Sequence, residues 1–174
     1  MHPANTPVLT AAGIDCCILA NNHVLDWGYP GLDDTLAALE GAGVASVGAG
    51  ETLPAAQAPV VFDHGPQGRL IVFAMGSGTS GVPAEWAAEI DGAGVWRIDE
   101  AAERAVAAVA EQVVAIKQDG DVVMASVHWG GNWGYAIPGA QRRFAHGLID
   151  HAGVDLIHGH SSHHPKGLEV HRGR

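Results

Sequence analysis

The chain has 174 residues and a formal net charge of −10 at pH 7. That is long enough for one domain with its own core, and it lacks the basic excess that nucleic acid or an anionic membrane demands of a partner. The apolar fraction of 47% is that of an ordinary globular protein, and no apolar run approaches the roughly 20 residues of a membrane-spanning helix.

The first residues, Met1-His2-Pro3-Ala4-Asn5-Thr6-Pro7, have neither the basic nor the apolar segment of a signal peptide, and nothing else in the sequence fixes a compartment. Ile14 to Ala20 is a short, nearly continuous apolar run, the pattern of a strand buried on both faces. Neighbouring side chains in a strand point to opposite faces, so Cys16 and Cys17 are not expected to pair and read as buried free thiols. The run ends in Asn21-Asn22-His23. Leu32, Leu36 and Leu39 recur at helical spacing, which predicts a helix from Gly31 to Gly41. Val44 to Val47 reads as a second strand. Pro59 to Phe62 and Leu70 to Met75 read as two more, joined by the turn-rich His64-Gly65-Pro66-Gln67-Gly68.

Gly76 to Gly94, rich in Gly, Ser and Pro, reads as a long loop with a turn of helix near Trp86. Ile98 to Lys117 is the clearest helix: Asp99 can cap it, and Ala102, Ala105, Val106, Val109, Val113 and Ile116 form an apolar stripe. Asp121 to Val127 reads as a buried strand ending in His128-Trp129-Gly130, and Pro138 to Ala152 as a helix stopped by Gly153. Val154 to Ile157 predicts the strand that opens onto His158-Gly159-His160-Ser161-Ser162-His163-His164, four histidines in seven residues. Gly167 to His171 reads as the start of one more strand. Strands alternate with helices, so the class is α/β with parallel strand pairs in a single domain over residues 1–174.

Three apolar runs thus end in metal-competent residues: Asn22-His23, His128, and the cluster from His158 to His164. Ligands of open α/β sheets bind beyond the carboxyl ends of the strands, and imidazole is the commonest protein ligand for transition metals. If the three strands are neighbours, the three motifs meet in one cleft. His128 alone reads equally as a hydrogen-bonded structural residue. His146 and His151, on a helix, read as solvated surface. Trp129, Trp133 and Tyr135 either wall a substrate groove or pack a loop onto the sheet. Arg142-Arg143 and Lys166 read as an anion contact or as solvated charges.

Ala20-Asn21-Asn22-His23, Asp26-Trp27-Gly28, Gly31-Leu32, Thr35-Leu36, Leu39, Gly48-Ala49-Gly50, His128-Trp129-Gly130 and Gly159 through Glu169 together resemble the bacterial CapA family of capsule and poly-γ-glutamate synthesis proteins. That family is similar to the calcineurin-like metallophosphoesterases. The resemblance covers almost the whole chain and implies an α/β/β/α sandwich with two divalent metal ions at the strand ends of the full-length protein. It implies Asn22, His128, His160 and His163 as metal ligands and His23 as an acid or electrostatic stabiliser beside an anionic substrate. Asp26 would either orient His23 or cap the following helix. His158 and His164 are reserves.

Two departures qualify the resemblance. Aligned on Gly159 and Glu169, the two histidines of the family's last motif fall at Ser161 and His163, so His160 is taken as the replacement ligand. The family's earlier Gly-Asp strand has no counterpart here, and neither do its last strands. The chain is therefore expected to be a fragment, begun at an internal Met and incomplete at both ends, with the carboxylate that would bridge two ions lying upstream. The implied function is a metal-dependent, phosphoesterase-type hydrolase of capsule or poly-γ-glutamate synthesis, acting on an anionic small molecule or polymer alongside other synthesis proteins. The alternative is a non-catalytic accessory component that keeps the fold. Relatives are often anchored outside the membrane.

Overall fold

A computed structural model describes residues 2–174; Met1, read above as an internal start, lies outside them. In chain order the first half comprises α1 (Pro7–Ala11), β1 (Cys16–Ile18), α2 (Gly28–Gly41), β2 (Ala45–Val47), β3 (Ala49–Gly50), α3 (Leu53–Gln57), β4 (Val60–Asp63) and β5 (Arg69–Ser77). The second half comprises β6 (Gly94–Val95), β7 (Arg97–Ile98), α4 (Glu103–Ile116), β8 (Val122–His128), α5 (Gly139–His151) and β9 (Leu156–His160). The central sheet runs β4-β5-β8-β9, with β7 paired to the end of β5. β4 and β5 form an antiparallel hairpin, whereas β5, β8 and β9 are parallel. β1 and β2 form a separate parallel pair, and β3 and β6 a short antiparallel one.

β5 explains the layering. Successive strand residues face opposite sides. Ile71, Phe73 and Met75 enter one core with Val109 and Val113 of α4 and Phe144 and Leu148 of α5. Val72 and Ala74 enter the other, with Val47 of β2 and Leu32 and Leu39 of α2. The layers are therefore helices, central sheet, the β1–β2 pair and α2, which is the α/β/β/α sandwich that the resemblance implied. The two strand layers approach closely at Gly48, where a Cβ would lie 2.6 Å from that of Ala20 and 2.8 Å from that of Ala74. The positive φ of 94° at Gly48 also suits glycine. No helix of the described residues is long and apolar enough to cross a membrane.

Several expectations need correction. β1 is half-buried rather than buried on both faces, because among the described residues it pairs only with β2. Its cysteines are free, and burial, with Cys17 and Asp15 adding, pushes the Cys16 thiol up to about 11. Asp99 does not cap α4: its carboxylate accepts the Ala101 N–H in a preceding turn, and the helix starts after Ala102. The long segment from Gly76 holds two 3-10 turns, Gly78–Ser80 and Ala84–Trp86, and the first strand residues of β6. α1 and α3 carry too few residues for a periodic signal and were not foreseen. β9 starts later than predicted and runs through His160, because its ladder to β8 continues to the pair His128–His160. Gly167 to His171 forms no strand.

Candidate metal centre at the strand ends

The ladder between β8 and β9 builds half of the site. In a parallel pair, residues opposite each other share a face. Ser126 is opposite His158, and His128 is opposite His160. Ser126 Oγ and His158 Nδ1 accordingly lie 3.0 Å apart, as do the Nδ1 atoms of His128 and His160. The rings of His158 and His160, two residues apart on one strand, stack at 5.3 Å. The other half comes from the turn after β1. Asn21 Oδ1 accepts the His23 N–H at 2.8 Å, a tight local turn. The turn carries Asn22 to the sheet, and its Oδ1 lies 3.1 Å from His128 Nε2. Residues 106 positions apart thus meet because β1 and β8 end at the same edge of the sandwich.

Burial sets the chemistry of the two rings. It lowers the pKa of His128, with the charge of His23 adding, and that of His160 to about 4, with His128 and His158 adding. Both are neutral imidazoles at physiological pH, which is the ligating form. Among the described residues His160 Nε2 is buried with no hydrogen-bond partner, and an unpaired buried polar atom costs free energy. A first-row divalent ion with bonds of about 2.0–2.2 Å places its donors about 3–3.5 Å apart. The 3.1 Å between Asn22 Oδ1 and His128 Nε2 is a spacing that two donors to such an ion take; His160 meets the other His128 nitrogen, Nδ1, through its own Nδ1, so its unpartnered Nε2 is the atom it has to offer. Among the described residues no carboxylate joins this trio, and no cluster of three His, Cys, Asp or Glu forms around it.

A buried network braces the loop over His128. Ser77 and Thr79 donate their hydroxyls to the Glu100 carboxylate, Gly130 N–H donates to Thr79 Oγ1 at 3.0 Å, and Ser80 Oγ donates to the His128 carbonyl at 2.7 Å. Sequence reading missed these residues. A Ser/Thr-rich turn at a strand end was the available signal, but Glu100 sits two strands away from it in the chain.

The other expected residues fall elsewhere. His23 and Asp26 stand exposed, joined by a 2.8 Å contact from Nδ1 to Oδ2. α2 begins after Trp27 without a side-chain cap, so Asp26 holds His23 and caps nothing. His163 makes none of the contacts that join the trio: its N–H donates to the Asn132 carbonyl and its ring packs on Trp133. Ser161, at a position where the family pattern has histidine, donates to the Gly130 carbonyl with a strained φ of 119°. Trp129 packs against Phe144, whereas Trp133 and Tyr135 stand largely exposed around His164. Gly159 lets Trp129 lie against β9, since a Cβ there would be 2.6 Å from the indole nitrogen.

A family model described as bacterial capsule synthesis protein PGA_cap matches residues 1–174. A probable polyglutamine synthesis accessory protein of Mycobacterium tuberculosis is 53% identical over 175 residues, covering 100% of this chain and 46% of its own length. The PGA biosynthesis protein CapA of Bacillus subtilis is 30% identical over 156 residues, 88% of this chain and 38% of its own length. The chain spans less than half the length of these curated relatives.

Proposed function

The chain belongs to the bacterial capsule synthesis protein family PGA_cap, and from that premise we propose that it serves poly-γ-glutamate or capsule synthesis through a metal-dependent, phosphoesterase-type hydrolytic site. The carrying observation is the convergence of Asn22 Oδ1 and the neutral rings of His128 and His160 from three separate strand ends, with one buried nitrogen lacking a partner. These three residues would hold the ion, an amide oxygen and two imidazoles adding no charge of their own. When bound, a divalent ion supplies an activated water and offsets the charge of an anionic group undergoing hydrolysis.

The chain's own residues supply the rest. Asp26 holds Nδ1–H of His23 and leaves Nε2 facing outward, where a protonated ring can give its proton to a leaving alkoxide. The exposed Trp133 and Tyr135 offer flat apolar surface around His163 and His164 for an extended substrate. The Glu100 network ties Gly130, two residues after His128, to the turn that follows β5.

The second reading is a non-catalytic accessory component, favoured by the lack of any carboxylate joined to the trio among the described residues. A titration with Mn²⁺ or Zn²⁺ and an assay with a chromogenic phosphodiester separate the two. Hydrolysis that needs the ion and is lost in His128→Ala and Asn22→Ala supports the hydrolase. Ion uptake with no turnover on phosphodiesters supports the accessory role.

A further inference from the structure

A second set of ligating side chains lies where α5 meets the C-terminal segment. His146 and Asp150 are one helical turn apart on α5 and share a face. Glu169 and His171 alternate in the segment after β9, which has no regular secondary structure. His146, Glu169 and His171 each offer one ligand atom, and these atoms all lie within 4.8 Å of one another. His146 Nε2 lies 2.7 Å from Glu169 Oε1. The His146 and His171 rings stack with centroids 4.0 Å apart and planes 4° apart.

We propose that His146, Glu169 and His171 form a divalent-metal site, separate from the strand-end trio, that clips the C-terminal segment to α5. The ligand set of two imidazoles and one carboxylate suits zinc and its first-row neighbours, with a further position left for water. Two surrounding groups have the positions that supporting residues take around metal ligands. Asp150 Oδ1 accepts from His171 Nε2 at 3.0 Å, which leaves Nδ1 for the ion. Arg142 Nη2 sits 3.1 Å from Glu169 Oε2, which holds the carboxylate with Oε1 turned to His146. An ion lies in the plane of each ring it binds, so coordination turns one imidazole out of the stack. The set also lines the same cavity, of about 660 Å³, that His158 and His160 line. Pinning Glu169 and His171 therefore fixes one wall of the space in front of β9.

Simple ion pairing is the competing explanation, and metal titration distinguishes it. The 174-residue chain, titrated with Co²⁺ near neutral pH, is expected to develop the intense visible bands of a low-coordinate imidazole–carboxylate site. His146 and His171 ring resonances should shift selectively. His128→Ala, which removes a ligand of the strand-end trio, should keep both signals, and in that background Glu169→Gln and His171→Gln should lose them. Asp150→Asn should weaken the affinity by about 10–100-fold. Zn²⁺ should slow tryptic cleavage after Lys166 and Arg172 in the wild-type chain and not in Glu169→Gln. Glu169 is 43% exposed, so Glu169→Gln leaves the core packing untouched and carries the test even where a histidine variant fails to fold. The proposal is overturned if Glu169→Gln takes up Co²⁺ as the wild-type chain does. It is also overturned if every bound ion disappears in His128→Ala.

Discussion

The molecule holds histidines in two contrasting ways. At the strand ends, His128 is buried and His160 half-buried, both are held by the backbone ladder, and among the described residues their ring nitrogens bond to no carboxylate: the partners are each other and Asn22, with the His158 ring stacked alongside. At the edge of α5, His146 and His171 are each bonded to a carboxylate, with Arg142 and Arg172 bonded to the same carboxylates. The strand-end rings are fixed by the fold and kept neutral by burial. The α5 rings are fixed by side-chain contacts that water and salt can compete for. The first arrangement is rigid and costly to leave unoccupied; the second is adjustable and cheap to open. A reaction site suits the first, and a clip on a segment without regular structure suits the second.

The contrast can be broken most heavily through the core beneath the sheet. Phe73 is fully buried on β5 and meets Trp96 edge-on. Phe73→Ala should cost about 3–5 kcal/mol in urea denaturation, and ion uptake by the strand-end trio should fail with it. A loss below about 1 kcal/mol would show that the ladder does not depend on this packing. Gly159→Leu is the next largest test. A side chain there strikes the Trp129 indole, and overpacking of this kind costs about 1–3 kcal/mol. Metal affinity at the trio should fall while the α5 set still develops its cobalt bands; equal loss at both would mean that the two are not independent.

Acid provides a third test. The pKa of His160 is held down to about 4 from 6.5. Between those values the unfolded chain binds a proton that the folded chain does not, so this contribution is complete above 6.5 and fades as pH falls toward 4. His160→Gln should flatten the stability–pH curve in that window. A hydrogen bond from Arg69, then the Gln118 backbone N–H, hold Asp121 down to about 2, so its contribution is lost only below the usual 3.8. An unchanged slope between 4 and 6.5 in His160→Gln would contradict the neutral, half-buried ring. The smallest effect belongs to Asp26→Asn. Its contact with His23 is exposed on both sides, so stability should change by no more than about 1 kcal/mol. On the hydrolase reading kcat should fall more than KM rises, since Asp26 positions His23; an unaltered kcat would remove His23 from the reaction.

Asn22, His23, His128 and His160 were legible because each follows an apolar run that ends in polar residues, and strand ends are where α/β proteins place ligands. His163 was legible only as one member of a cluster, and nothing in the local pattern said that its neighbour Ser161 would turn the chain back onto Gly130. His146 and His171 were passed over because a polar residue on a helix face or in an irregular segment looks the same to its neighbours in sequence whether or not another segment covers it. Glu100 was passed over for the same reason.

By itself the sequence determined the class of each long element and which strand ends carry chemistry, since those depend on spacings of two, three or four residues along the chain. Only the tertiary structure decided which side chains touch. The register of β8 against β9 put His128 beside His160 rather than beside His158, a choice set by packing on both faces of the sheet. The path of the last segment across α5 brought Glu169 and His171 to His146, a meeting of residues more than twenty positions apart that no local spacing encodes.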